Sequence, residues 1–393
     1  MAGPLKTLKV LDFTTLLPGP YATVYLADMG ARVLKIASST RPDMASLVPP
    51  YLDDTNLSFA TAFLGRGKRC LALNLKDGRA VRIVHQLIKE YDIIVEQFRP
   101  GVMAKLGLDY ESLKKTNPAL IYCSLSGYGQ TGPLKERAGH DINYLARSGL
   151  MSYSGRRDSG PSLMGMQIAD VASGSHNAII GILAAVVHRL ATGEGQCIDI
   201  SMTDGCVAFN ALVGSSVLAG ETAPGREEFL LNGGTLYDFY ETADGRHLSF
   251  GGLEPHFFSA FCEAIGRPDL VAGGPAPQNA SAVKEEVREI LRSRSLDEWM
   301  SIFNGPDACV EPVLTLDEVL VDPHVVQRGL VVDVRLPRGG TVRQLANPLK
   351  FSRTPPEYGM AGVQAGTHTR EVLRELGYAD SQIDEFDKTG LFS

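Results

Sequence analysis

The sequence predicts an α/β protein with a doubly wound parallel sheet and a smaller α+β domain, and three observations carry that prediction. Residues 8–36 read as strand, turn, helix, strand. Short apolar strands then alternate with helical segments as far as Ser126, the order expected of stacked β–α–β units. After Gly225 the alternation gives way to a hairpin pattern and amphipathic helices.

Leu8 to Phe13 is a short apolar strand, and Pro18-Gly19-Pro20 breaks it. Tyr21 to Met29 has helical spacing through Ala22, Tyr25, Leu26 and Met29, and Gly30 ends that helix before the strand Arg32 to Ile36. The first turn lacks G-x-G-x-x-G, and the chain lacks G-x-x-x-x-G-K-[ST], so neither a nicotinamide or flavin cofactor nor a phosphate loop is indicated. Arg66-Gly67-Lys68-Arg69 places three cations just before the strand Cys70 to Leu75. Such a cluster is either a solvated face or a set of donors for phosphate. A helix over Asp77 to Glu90 and a strand over Asp92 to Glu96 follow, then Phe98-Arg99-Pro100-Gly101 leads into another helix. Arg99, at this strand-to-helix junction, is a second candidate phosphate contact. Asp109 is placed to cap a helix through Lys115, and Ala119 to Ser126 is a further strand.

The stretch from Gly127 to Asp170 carries the densest chemistry. It opens on Gly127-Tyr128-Gly129-Gln130-Thr131-Gly132-Pro133, passes through Gly139-His140-Asp141-Ile142-Asn143-Tyr144 and closes on Ile168-Ala169-Asp170. Asp141 is placed to cap a helix beginning at Ile142, which sets His140 beside a helix N-terminus that favours a neutral, proton-accepting imidazole. His140 and Asp170 are thus a candidate acid/base pair, weighed against a structural histidine and a plain capping aspartate.

Met164 to Arg189 is small and apolar, as expected of a buried helix, and Gly193-Glu194-Gly195-Gln196 turns into the strand Cys197 to Ser201. Met202 to Ala219 is a long apolar segment, and Gly220 to Gly225 reads as a linker. Leu236 to Phe250 reads as a hairpin around Ala243-Asp244-Gly245, with helices from about Glu254, Ser281 and Leu296. The tail has short strands and a final helix near His368 to Leu376. These divisions give a large domain over 1–200, a helix and linker over 201–225, a small domain over 226–318, and a linker with return to the large domain over 319–393.

The 393 residues, 44% hydrophobic, suffice for two domains with a substantial core. A net charge of −7 leaves no large basic face for nucleic acid. Six cysteines without ligand spacing read as reduced thiols, with neither a disulfide framework nor a metal site, in a cytoplasmic protein. No signal peptide pattern is evident, and no uninterrupted apolar run reaches membrane-spanning length, so no membrane association is expected.

Ala138-Gly139-His140-Asp141-Ile142-Asn143-Tyr144 resembles the signature of α-methylacyl-CoA racemases, within the family III CoA-transferase (CaiB/BaiF) superfamily. Leu16-Leu17-Pro18-Gly19-Pro20, Arg66-Gly67-Lys68-Arg69, Val95-Glu96-Gln97-Phe98-Arg99-Pro100-Gly101 and Gly127 to Pro133 match further blocks in the family's order. Gly251-Gly252-Leu253-Glu254-Pro255 and Asp307-Ala308-Cys309-Val310 resemble racemase blocks of the central domain. The resemblance implies a Rossmann-like large domain built from both chain ends, and an interlocked homodimer. Coenzyme A is then part of the substrate, with no prosthetic group, and Arg66, Lys68, Arg69 and Arg99 are its contacts. Gln97 departs from the family, which usually has Asn there, and Ala172 and Ser173 stand where glycines commonly follow the key aspartate.

The activity implied is inversion at the α-carbon of a 2-methylacyl-CoA, with His140 and Asp170 serving its two faces and Glu254 orienting the imidazole. An alternative on the same fold is CoA transfer through an acyl anhydride on Asp170, which does not need the histidine. A third is a non-catalytic acyl-CoA-binding protein. Cys309 is expected to pack, not react. Met151, Met164 and Met166 are either core or the lining of an adaptable acyl groove.

Overall fold

A computed structural model describes residues 3–38, 42–52 and 56–392. The chain forms two compact units, one of residues 1–147, 165–208 and 324–393, the other of residues 148–164 and 209–323.

The first unit is built on strands β1 (Lys9–Asp12) and β2 (Arg32–Ala37). A small antiparallel pair, β3 (Tyr51–Leu52) and β4 (Leu57–Ser58), precedes β5 (Lys68–Ala72), and β6 (Ile93–Glu96), β7 (Ile121–Ser126) and β8 (Cys197–Ser201) follow. Six of these form one sheet in the order β5-β2-β1-β6-β7-β8, and every pairing in it is parallel. The direction of winding reverses at β1, which pairs with β2 on one side and β6 on the other. Such a reversal opens a crevice beyond the strand C-termini. Every residue of β6 and β7 is buried, as expected where helices cover both faces.

The strand period of two sorts the core into two layers. Leu11, Leu34 and Leu71 face one side, with Ile83, Val84 and Leu87 of the helix Gly78–Leu87 and with Val372, Ile383 and Leu391 from the end of the chain. Val10, Val33 and Val95 face the other, with the helices Pro18–Asp28 and His176–Thr192. The first of these helices starts at Pro18, since Pro at the first helical position loses no hydrogen bond. Counting the turn that precedes it, the second runs over Ala169–Thr192, long and apolar enough to cross a membrane. Its apolar run is not uninterrupted, since Asp170, His176, Asn177 and Arg189 fall within it, and Ala178, Ile182 and Ala185 of this helix are buried against the sheet.

Within that second layer sits a charged group. Asp12, wholly buried, accepts from Thr14 N (2.9 Å), Thr14 Oγ1 (2.5 Å), Thr23 Oγ1 (2.6 Å) and Lys68 Nζ (3.0 Å). Lys68 also donates to Pro20 O and Thr23 Oγ1. Burial pushes the Asp12 carboxyl up, but Lys68, Lys35 and the two threonine hydroxyls outweigh it and hold the pKa at about 2.

The second unit holds β9 (Asp238–Glu241), β10 (His247–Phe250) and β11 (Val310–Pro312), an antiparallel sheet in the order β11-β10-β9. Phe250 stacks on Phe261 at 3.9 Å, within a core that includes Phe258, Trp299 and Phe303. Residues 148–164 belong here, so the span 1–200 is not one body. Polar ties that hydrophobic patterning does not reveal hold them: Arg156 is bidentate to Asp238 (2.7 and 2.6 Å), and Arg226 donates to Met151 O and Ser154 O. The tail, in the first unit, adds the hairpin β12 (Val331–Arg335) and β13 (Thr341–Leu345), then the helix Thr369–Glu375 and a further helix, Asp380–Lys388, beyond the one expected.

Asp12→Asn leaves the Lys68 ammonium buried without a counter-ion and is expected to cost about 3–5 kcal/mol in urea unfolding. Because the folded pKa of Asp12 lies below its ordinary 3.8, the wild-type pair contributes fully above that value and loses its contribution as pH falls toward about 2. The variant's stability deficit should therefore shrink across that acid window; a deficit independent of pH would contradict the assignment.

Candidate active site

The loop after β7 is fixed at both ends before it delivers His140. Gly127 O accepts from Thr203 N (3.0 Å) and Thr203 Oγ1 (2.7 Å), and Gln130 N donates to both carboxylate oxygens of Asp199. Tyr144 closes the return: its hydroxyl donates to Gly139 O (2.5 Å) and its ring meets Tyr128 edge-on at 5.2 Å. A Cβ at Gly127 would lie 2.4 Å from Tyr144 Cε1, and one at Gly139 2.7 Å from the same atom. Both positions need glycine because this ring fills the space.

The helix begins at Asp141 and runs to Arg147, and Asp141 does not cap it. Asn143 closes its start instead: His140 N donates to Asn143 Oδ1 (3.0 Å), and Asn143 N donates to His140 O (2.8 Å). The Asp141 carboxylate turns to the other half of the site, where its Oδ1 accepts from Asp170 N at 2.9 Å. The sequence reading had given this side chain to the helix; the structure gives it to Asp170.

Asp170 lies in a π-helical turn, Ala169–Ser175, that enters the long helix. Wide turns of this kind occur often at functional sites. Ser175 Oγ bonds to Asp170 O (3.0 Å) and Pro18 O (2.6 Å), so the turn is pinned to the start of the first helix. Ser173, buried where a glycine was the family's usual residue, donates to Met202 O at 2.6 Å. The substitution thus adds a tether without exposing a new side chain.

His140 is exposed, and Asp170 is half-buried close enough to feel its charge. Burial raises the Asp170 carboxyl, the Asp141 charge raises it further and His140 opposes them, leaving a pKa of about 6. A carboxyl there exchanges protons near neutrality in either direction. Two supporting features had no signal in the sequence: the Asp141 link, and Leu16, which holds a left-handed backbone (φ 62°) two residues before Pro18. Its N–H donates to Asp43 Oδ1.

The remaining candidates divide. Arg66 is buried in the first unit, bidentate to Asp28 (3.0 and 2.7 Å) and bonded to Gln344 Oε1 and Leu345 O. Lys68 is committed to Asp12. Both serve the interior, which corrects their expected role as coenzyme A contacts: neither charge reaches solvent. Arg69 is half-buried in ion pairs with Glu371 and Glu375. Arg99 is exposed just past the C-terminal end of β6, and its guanidinium has no partner among the described residues. Met164 and Met166 are exposed, 43% and 52%, and not core. No three His, Cys, Asp or Glu side chains among the described residues are grouped as metal ligands.

Glu254 belongs to the second unit, exposed at the start of the helix Pro255–Ala264, where its carbonyl accepts from Phe258 N but its carboxylate makes no capping bond. The two sequence blocks near it meet in space. Gly251 N donates to Cys309 O (2.9 Å), and a Cβ at Gly252 would strike the Phe250 ring at 2.7 Å. Burial, then Asp307 and Glu254, push the Cys309 thiol pKa up, away from reactivity.

The sequence matches the description of CoA-transferase family III over residues 5–369. It is 34% identical to the alpha-methylacyl-CoA racemase of Homo sapiens over 96% of this chain and 95% of that one. It is 32% identical to the succinyl-CoA:glutarate CoA-transferase of Mus musculus over 99% and 90%. Its structure superposes on a crystal structure of a CaiB/BaiF family protein from Brucella suis with a TM-score of 0.83, at 28% identity and covering 96% of this chain and all of that one.

Asp141→Asn keeps an oxygen for Asp170 N but removes the neighbouring charge. The Asp170 pKa is expected to fall below about 6 while burial keeps it above 3.8, read from its carboxyl 13C shift across a pH titration. A pKa that stays or rises would contradict the coupling.

Proposed function

The chain belongs to CoA-transferase family III, and from that premise we propose that it is an acyl-CoA racemase, inverting the α-carbon of a 2-methylacyl-CoA by 1,1-proton transfer. The observation that carries this reading is the pairing of His140 with an Asp170 whose pKa is about 6. The α-proton of a thioester is weakly acidic, so it needs a base on one face, an acid on the other and donors for the enolate oxygen. In one direction Asp170 removes the proton while His140 delivers one to the opposite face; in the other the roles exchange. The backbone N–H groups of Gly139 and Asp141, at a helix N-terminus, face the developing oxyanion, since Asn143 holds that of His140.

In this reading a second copy of the chain supplies Glu254 to orient the imidazole, and Arg99 meets the phosphates of coenzyme A. An interlocked homodimer goes with this reading; exposed Ile180, Val187 and Leu190 on one helix are apolar surface that a second copy would cover.

The relatives also favour a second reading, CoA transfer, since a transferase is as similar as a racemase within two percentage points, 32% against 34%. There Asp170 attacks the thioester carbonyl, coenzyme A leaves as the thiolate and a mixed anhydride forms. The thiolate then attacks the aspartyl carbonyl, releasing the carboxylic acid and leaving an aspartyl thioester. His140 has no part in those bonds.

The test is α-proton exchange of a 2-methylacyl-CoA in D2O, followed by NMR, beside acyl transfer to added carboxylic acids. Exchange with epimerisation is expected, reduced roughly 100-fold or more in both His140→Ala and Asp170→Ala. Its acid limb should centre near pH 6, where Asp170 ionises. Transfer without exchange, lost only in Asp170→Ala, establishes the second reading, and coenzyme A ester binding with neither activity leaves only a binding protein.

A further inference from the structure

At the N-terminal end of the parallel sheet, opposite the end that carries His140 and Asp170, the first unit contains a cavity of about 390 Å³. Its apolar wall is formed by Val33, Leu87, Leu376 and the Tyr91 ring, and its charged lining by Lys9, Arg32 and Arg69 with Glu90 and Glu375. The mechanism above uses none of these groups.

The charges are not all matched. Lys9 pairs with Glu90 at 2.8 Å, and Arg69 Nη1 with Glu375 at 2.8 Å. Arg32 makes no side-chain hydrogen bond or ion pair among the described residues; its charge is felt by Glu90, which is already bonded to Lys9, so its guanidinium donors face the cavity unfilled. Arg69 adds an independent sign. Its Nε and Nη2 are buried and have no hydrogen-bond partner, although Glu371 lies 3.1 Å from Nη2, outside hydrogen-bond geometry. Buried donors left unmatched are costly, and they mark places where an acceptor belongs.

We propose that this cavity is a second small-molecule site, taking an aliphatic monocarboxylate of medium length. Two guanidinium groups offer the planar fork that a carboxylate matches, and that of Arg32 has no carboxylate of its own in hydrogen-bond reach among the described residues. The apolar wall receives the hydrocarbon. The volume is at the low end of small-molecule sites, which suits a free acid and excludes a whole coenzyme A thioester. The site stands apart from the reading of the catalytic residues and does not depend on it.

Titration of the full chain with octanoate, by calorimetry and ligand-observed NMR, tests this. One site per chain is expected, weakened roughly tenfold or more in Arg32→Gln, which alters only an exposed side chain, and in Leu376→Trp, which fills the cavity. His140→Ala should bind as the wild type does. Absence of binding to the wild type overturns the proposal, as does binding that survives Arg32→Gln or is lost in His140→Ala. If Leu376→Trp fails to fold, Arg32→Gln decides alone.

Discussion

A charge that cannot leave the interior sets the geometry of the first unit. Asp12 ends β1 inside the layer packed by the helix Pro18–Asp28, where an unpaired carboxylate would be prohibitively costly. Its four bonds draw in Thr14, Thr23 and Lys68, and so fix the end of β1, the body of that helix and the start of β5 against one another. Lys68 also holds Pro20 O, and Gly19 N donates to Gln97 Oε1. The helix start is thereby located from both sides, and Pro18 O is the atom that Ser175 uses to anchor the turn carrying Asp170. Gln97, the departure from the family's asparagine, keeps a backbone contact here with its longer amide.

The local elements were largely legible in the sequence. The strand Cys197–Ser201 lies where the turn Gly193 to Gln196 places it, and the first strand, helix and strand differ from expectation by at most three residues at any end. What escaped was pairing at long range. Arg66 and Lys68 stand in a glycine-bearing cationic run of the kind that often lies at a surface, and nothing within ten residues of either shows that Asp28 and Asp12 wait in the core. Asp141 was misread for a related reason. An aspartate ahead of an apolar run is chemically apt as a cap, but the helix starts one residue earlier than that role needs, Asn143 N donates to His140 O, and the Asp141 carboxylate turns to Asp170 N.

The same carboxylate serves either chemistry under discussion, and its setting explains how. Burial makes Asp170 reluctant to ionise, which suits a group that must hold and release protons; the backbone N–H it gives to Asp141 holds the turn without consuming its own oxygens. Both side-chain oxygens remain free of protein hydrogen bonds among those described, available to a proton or to a carbonyl carbon. What separates the two chemistries is the neighbour, not the carboxylate.

The π-helical turn at Ala169–Ser175 carries a register within it. An α-helix advances about 100° per residue, so a wide turn holds one residue more than the ordinary ladder would need. Deleting one residue between Val171 and Gly174 would let the segment rewind as regular helix, with Ala178, Ile182 and Ala185 still facing the sheet. The removed residue and the tighter winding would offset each other, so Asp170 would keep nearly its direction relative to them. The wide turn is thus a place where the chain holds one extra residue without disturbing the register of Asp170 against the long helix: length there can vary while direction does not.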